Sequence, residues 1–311
     1  MELFMPDWDA IIIGGGSAGL TAGIYLSRGN WRTLLLEKEG YGGYIMNIEM
    51  IENYPGFSEG VIGSQLGMEM MEQARKYGVE MKRATVNSVQ VSSSNKWVTC
   101  ADGTTYTSSS IIFAGGSVPK KLGVPGEEEY RDRGVIGCAF CDGGQFAEQV
   151  VAVCGGGDSG ITEALYLSKI ASKVIVIEAM PKLNATAILQ DRVAQNLKLE
   201  VHTGTKVQAI TGRNTVEGIE VISEDTGQKE TMKVDGVLVH VGLDPNTDYL
   251  QGIVPLDEGG QIIVNGWMES EISGVFAAGD IRSNSPRQVS AAVGDGAAAG
   301  MSAQRYLQRL E

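Results

Sequence analysis

Two stretches of the chain carry the same succession of hydrophobic and polar positions. The first begins with an unbroken apolar run, Ala10-Ile11-Ile12-Ile13, and passes through the glycine-rich turn Gly14 to Gly19. Leu20 to Gly29 then place apolar residues at helical spacing, and a second apolar run, Leu34-Leu35-Leu36, ends on Glu37. Short apolar runs between turn signals predict strands buried on both faces, and the 3.6-residue period between them predicts a helix packed on those strands. The same order recurs at Val150 to Cys154, Gly155 to Gly160, Ile161 to Ile170 and Val174 to Glu178. Gly14 and Glu37 are 23 positions apart, and so are Gly155 and Glu178. A repeat of this kind predicts an α/β fold of two doubly wound, Rossmann-like domains.

Two further apolar segments connect the repeats. Ile111-Ile112-Phe113-Ala114-Gly115-Gly116 leads out of the first, and Val237 to Gly242 leads back towards Gly274 to Asp280. The first domain is therefore expected to be discontinuous, 1–116 plus 245–311, with the second inserted as 117–244. Glycines 115, 116 and 242 make 114–118 and 242–246 the candidate hinges between them.

Each glycine turn matches G-x-G-x-x-G in the context that gives the pattern meaning, after a strand, before a helix, with an acid following at the right distance. Gly14 and Gly16 allow the backbone to approach a pyrophosphate at a helix N-terminus, Gly19 allows close packing, and Glu37 accepts from a ribose hydroxyl. Gly155, Gly157, Gly160 and Glu178 are the matching candidates for a second nucleotide.

Composition narrows the setting. The 311 residues include 42 glycines, suited to many strand-to-helix turns, and carry a net charge of −13, which argues against nucleic acid or an anionic membrane as partner. Met1 to Asp9 holds no basic residue, and Ile11 to Ile13 is too short for a leader or a membrane span, so a cytoplasmic location is expected.

Of the four cysteines, only Cys138 and Cys141 form a C-x-x-C. Zinc would need two more ligands, and His202 and His240 lie in apparent strands without ligand spacing; no metal site is expected. His240, between Val239 and Val241, reads as a core residue with its hydrogen bonds satisfied rather than a ligand. A purely structural disulfide does not suit a reducing compartment, which leaves redox chemistry, with Asp142 beside the pair as a candidate proton carrier.

The chain resembles the low-molecular-weight thioredoxin reductases over nearly its whole length. The resemblance is carried by Gly14 to Gly19, Glu52-Asn53-Tyr54-Pro55-Gly56, Cys138-Ala139-Phe140-Cys141-Asp142-Gly143, Gly155 to Gly160, Gly279-Asp280, and Arg287-Gln288 followed by Gly294-Asp295-Gly296. It implies FAD in the first unit, with Gly16, Ser17 and Ala18 on the pyrophosphate, Glu37 on the adenosine ribose and Val86 near the adenine. Lys38, Ala114, Gly115 and Gly279 join the cofactor-binding set. Gly43, Tyr44 and Asn53 would line the isoalloxazine side, Asp280 the ribitol, and Arg287, Gln288 and Val289 the flavin. The resemblance also implies that Cys141 faces the flavin, Cys138 attacks the disulfide of thioredoxin or a thioredoxin-like protein, Asp142 supplies the proton, and the protein is a homodimer.

The chain departs from the family pattern at two places. Tyr44 stands where members often have glutamine. NADPH-using members carry H-R-R-x-x-x-R after the strand of the second unit, whereas this chain has Glu178-Ala179-Met180-Pro181-Lys182-Leu183-Asn184. A carboxylate where a 2′-phosphate must sit is repulsive, and a lone lysine does not replace a guanidinium fork, so NADPH is disfavoured. Glu178 suits the free 2′-hydroxyl of NADH. The same run also resembles an atypical subset of members, some of which draw electrons from ferredoxin or a deazaflavin. For an acidic ferredoxin, Lys120, Lys121, Arg131 and Arg133 flanking the dithiol are the candidate patch. Two other functions stay open here: a dithiol-independent flavin reductase of the ferredoxin or quinone type, and a non-catalytic flavin-binding redox sensor.

Overall fold

The computed structural model describes residues 6–92 and 95–311, so the start of the segment read above as lacking a leader lies outside the described residues. The chain begins with β1 (Trp8–Ile13), α1 (Ser17–Arg28), β2 (Thr33–Glu37), α2 (Gly63–Lys76), β3 (Glu80–Arg83), β4 (Val86–Val91), β5 (Lys96–Cys100) and β6 (Thr105–Phe113). These strands form one sheet in the order β3-β2-β1-β6-β5-β4. Parallel pairing sets Ile11 opposite both Leu34 and Ile111, which explains the unbroken apolar runs: every residue is covered on one face or the other. Ile12, Leu35 and Ile112 enter the core shared with α1, while Ile11, Ile13, Leu34 and Leu36 enter a second core on the opposite face.

The chain continues through β7 (Ser117–Pro119), β8 (Val135–Ile136), α3 (Ala139–Asp142), β9 (Val150–Cys154), α4 (Asp158–Leu167), β10 (Lys173–Glu178), α5 (Ala187–Gln195) and β11 (Leu199–Thr203). Then follow β12 (Thr205–Gly212), β13 (Val216–Ser223), β14 (Lys229–Met232) and β15 (Gly236–Val239). A parallel sheet takes the order β11-β10-β9-β15-β8. Val151, Val153, Val174 and Val176 pack with Ile161, Ala164 and Leu167 of α4. The other face, through Ala152, Cys154, Ile175 and Ile177, is covered by the antiparallel meander β12-β13-β14 rather than by helices.

β16 (Leu243–Pro245) pairs with β7, so the two chain crossings form a short ribbon. Finally β17 (Val275–Ala277) adds to β6 in parallel, and α6 (Val289–Gln308) follows. The described chain divides into two compact units, Met1–Val118 with Asp244–Glu311, and Pro119–Leu243. Both units are Rossmann-like, and the second is inserted into the first.

Two helices start earlier than their apolar spacing suggests. α1 begins at Ser17 rather than Leu20 and α4 at Asp158 rather than Ile161, because Gly16 and Gly157 are the extended N-cap residues and the last glycine of each turn is already helical.

Candidate functional site

β1 and β9 each lead into a turn of the same kind, in which Gly14 and Gly155 have φ of +110° and +122°. A Cβ on Gly14 would stand 2.3 Å from the Ala114 carbonyl oxygen, and one on Gly155 2.1 Å from that of His240. A Cβ on Gly19 would meet the Gly14 oxygen at 1.9 Å, and one on Gly160 the Gly155 oxygen at 2.1 Å. Backbone touches backbone at all four, so only hydrogen fits. The middle glycines differ. Beside Gly16 the nearest atom is Gly43 Cα at 3.8 Å, and Gly157 has nothing within 4 Å. Neither α1 nor α4 has a side-chain cap. Each turn therefore leaves open room in front of uncapped N–H groups, the chemistry an anionic pyrophosphate requires.

The two acids hold matching hydrogen bonds. Glu37 Oε2 accepts from Gly15 N–H at 2.7 Å and Oε1 from Glu39 N–H at 2.9 Å. Glu178 Oε2 accepts from Gly156 N–H at 2.6 Å and Oε1 from Met180 N–H at 2.7 Å. Each carboxylate is fixed at its strand end with lone pairs left for a hydroxyl.

Most first-unit candidates gather around the Gly14 turn. Ala114 and Gly115, at the end of β6, back Gly14 itself. Gly42 N–H donates to Gly15 O at 2.8 Å, bringing Gly43 against Gly16, and Tyr44 lies half exposed in the turn Gly43–Asn47. A Cβ on Gly279 would approach Ala18 Cβ at 3.0 Å. Lys38 lines a cavity of about 260 Å³ with Arg83, Thr85, Cys100 and Asp102, and Val86 is paired with Cys100 on its wall. Asn53 Nδ2 donates to Gln288 Oε1 at 3.0 Å, directly before Val289 opens α6. Burial pushes the Asp280 carboxyl up, opposed by the Ser285 hydroxyl, which donates at 3.3 Å, and by the Arg287 charge. Arg287 itself takes a left-handed backbone, φ +55°. These residues fit FAD: an open uncapped helix start, a fixed carboxylate beside a cavity, and a polar cluster at the α6 end.

One support escapes the sequence reading. Buried Asp295 accepts from Gly279 N–H at 3.1 Å and from Arg282 Nε and Nη2, both at 2.8 Å, which fixes the Gly279-Asp280 turn. Asp295 falls within a motif quoted above, but nothing local links it to Arg282.

In the second unit Cys138 and Cys141 are joined as a disulfide with Cα atoms 5.4 Å apart. Cys138 is the N-cap of α3, and Cys141 N–H donates to Cys138 Sγ at 3.0 Å. Cys138 is half-buried, and Cys141 and Asp142 are exposed. Cys154, by contrast, is sealed at the end of β9, where burial pushes its thiol up to about 12. The exposed Phe140 ring meets Tyr166 edge-on at 5.7 Å.

Behind the dithiol lies a second residue that belongs to no motif. Glu163, from α4, accepts from Ala139 N–H at 2.6 Å through Oε2, and its Oε1 stands 3.1 Å from His240 Nε2. His240 is 4% exposed and Glu163 16%. The histidine side chain is buried, as expected, but it is not satisfied: among the described residues its Nε2 has no hydrogen-bond partner and faces the Glu163 carboxylate within ion-pair distance, off the line of a hydrogen bond.

The basic residues flanking the dithiol are largely engaged. Lys121 and Arg131 both sit on Glu128, at 2.6 and 3.0 Å, and Arg133 donates to the Glu129 carbonyl. Together Lys121 and Arg131 hold the Glu128 carboxyl below its ordinary range. Among the described residues no group of three or more His, Cys, Asp or Glu side chains converges as a metal site, and no helix is long and apolar enough to cross a membrane.

Known proteins match this chain over nearly its whole length. Residues 8–296 match the pyridine nucleotide-disulphide oxidoreductase family. A thioredoxin reductase of Bacillus subtilis is 39% identical over 305 residues, 98% of this chain and 96% of that protein. Among solved structures, thioredoxin reductase from Lactococcus lactis superposes with a TM-score of 0.95 at 37% identity, covering 97% of this chain and 100% of the other. The enzyme from T. acidophilum superposes with a TM-score of 0.93 at 31% identity, covering 99% and 100%.

Proposed function

The chain belongs to the pyridine nucleotide-disulphide oxidoreductases and, within them, to the thioredoxin reductases, and on that premise we propose that it reduces thioredoxin or a thioredoxin-like protein through Cys138 and Cys141, with FAD in the first unit and NADH as electron donor. The observation that carries this reading is the accessible Cys138–Cys141 disulfide in the unit that also holds the second glycine turn.

FAD, when bound, supplies the electron pair that opens the disulfide. Its pyrophosphate would lie at Gly16, Ser17 and Ala18, its adenosine ribose at Glu37, and its ribitol at Asp280. The Cys138 thiolate attacks one sulfur of the partner disulfide; that bond breaks and a mixed disulfide forms. Cys141 then attacks Cys138 Sγ, the mixed disulfide breaks, and the Cys138–Cys141 bond re-forms. The two thiol protons leave with the two thiols of the partner, and Asp142, exposed at the end of α3, is set to relay one of them.

The choice of NADH rests on Glu178. Its carboxylate copies the hydrogen bonds of Glu37, the posture of a group that accepts from a free ribose hydroxyl, and no guanidinium stands beside it in 178–184. A one-electron donor docking on Lys121 and Arg131 would have to displace Glu128 from both.

Anaerobic titration of the flavin-replete protein tests the donor. NADH should bleach the oxidised-flavin absorbance near stoichiometry, and NADPH only at far higher concentration. Bleaching by dithionite or reduced ferredoxin, with neither nucleotide active, would assign a one-electron donor. Donor-driven turnover that survives Cys138→Ser would point to a flavin reductase of another kind.

A further inference from the structure

Glu163 and His240 lie outside the groups that exchange electrons, yet they close on the first peptide of the dithiol turn. Backbone N–H dipoles beside a cysteine stabilise its thiolate through their partial positive charge. In α3 one of them is already taken: Ala139 N–H donates to Glu163 Oε2 at 2.6 Å. The same carboxylate adds a negative charge one peptide from Cys138. Both effects disfavour the thiolate, and a dithiol whose reduced form is less stabilised is a stronger reductant.

The carboxylate is held in place. Glu163 rides on α4, the helix that the second glycine turn starts, and its other oxygen faces His240 Nε2 at 3.1 Å. The His240 backbone is fixed in turn, its amide N–H donating to Cys154 O at 2.8 Å and its carbonyl packed on Gly155.

We infer that Glu163, oriented by His240, is a positioning residue that keeps the Cys138/Cys141 pair strongly reducing by occupying the first N–H of its turn with a carboxylate. This deepens the disulfide-reductase reading and rests on it. Asp142, at the other end of the turn, and Lys169, over the Tyr166 ring, are left unchanged in the test.

The test is the thiol–disulfide equilibrium of the full-length protein in anaerobic buffers of reduced and oxidised dithiothreitol, read by alkylation and peptide mass spectrometry. In that reaction dithiothreitol is oxidised as the Cys138–Cys141 bond opens to two thiols. Glu163→Gln keeps an oxygen for Ala139 N–H and removes the charge. It should shift the equilibrium about tenfold towards the dithiol, about 30 mV, and speed Cys138 alkylation several-fold at fixed pH. Glu163→Asp, which keeps the charge, should stay closer to the parent. His240→Ala should shift the equilibrium in the same direction by about two- to threefold, and should add nothing once Glu163→Gln is present.

An equilibrium and alkylation rate within twofold of the parent in folded Glu163→Gln protein would overturn the inference. Should that variant not fold, an unshifted His240→Ala would overturn it alone. No nicotinamide or thioredoxin enters this measurement, so its outcome is separate from that of the disulfide-reductase reading, which fails if Cys138→Ser still turns over thioredoxin.

Discussion

The Gly14 turn and the Gly155 turn are built alike and surrounded differently. Each has a glycine at positive φ against a carbonyl, a second glycine packed on the first, and a glutamate held by the turn and by the residue two positions on. Around the first, the chain returns as Gly42 and Gly43, which add no bulk. Around the second it returns as Leu183 to Thr186: Asn184 and Ala185 N–H donate to Gly156 O at 3.0 and 3.1 Å, and Asp158 Oδ1 takes Thr186 N–H at 2.6 Å. The first unit keeps its cysteine, Cys100, buried, while the second exposes a disulfide. One strand–turn–helix device thus serves two units, and what distinguishes them is attached to it: a flavin cradle in one, a dithiol turn in the other.

The sharpest way to break this comparison is to spoil one turn at a time. Gly14→Ala would drive a Cβ into the Ala114 carbonyl at a left-handed φ, a strain of upwards of about 3 kcal/mol. Flavin retention after gel filtration should fall to near nothing. Gly155→Ala should leave flavin content near that of the parent and abolish bleaching by NADH. Loss of flavin in both variants would mean that the turns do not serve separate ligands.

A gentler change separates the two acids. Glu178→Arg should lower kcat/KM for NADH and raise it for NADPH, moving their ratio at least about tenfold, or about 1.4 kcal/mol. Steady-state kinetics with both nucleotides would show it. An unchanged ratio would detach Glu178 from the nucleotide.

The smallest functional effect is expected from a contrast in buried charge. The second unit pairs Glu163 with His240, but in the first the Lys96 ammonium is fully buried with no hydrogen-bond partner among the described residues, 5.5 Å from the Tyr306 ring centre. Burial pulls its pKa down to about 8. Below that pH both folded and unfolded chains carry the proton, and the folded state bears the full desolvation penalty. From about pH 8 to 10.5 only the unfolded chain still binds it, so this group's contribution to stability rises with pH. Lys96→Met should therefore stabilise the protein at pH 7 by up to about 3 kcal/mol. The gain over the parent should shrink as the pH rises through that window, as followed by denaturant unfolding. A gain independent of pH would show that Lys96 does not titrate in the fold.

The fold class was legible because strands buried on both faces need unbroken apolar runs, and Ile11 to Ile13 and Val150 to Cys154 supply them beside glycine turns of fixed spacing. The meander β12-β13-β14 was not, since it lies outside the repeated strand–turn–helix pattern and β14, Lys229–Met232, offers a single apolar residue. At the site, residues inside motifs could be named, and the structure gathers Gly14, Gly16, Gly19, Gly43, Ala114 and Gly279 about one turn. Glu163 could not be named: it meets Ala139 across 24 positions and His240 across 77, and long-range pairing of single polar residues leaves no periodic trace. Arg282 and Asp295 are hidden in the same way.

The most direct test is NADH-driven reduction of thioredoxin disulfide, coupled to insulin reduction, by the parent protein and by Cys138→Ser. The parent should turn over, and Cys138→Ser should lose at least about a thousandfold in rate while its flavin is still bleached by NADH. Equal turnover by the two proteins would contradict a dithiol route and leave the Cys138–Cys141 disulfide without a part in electron transfer.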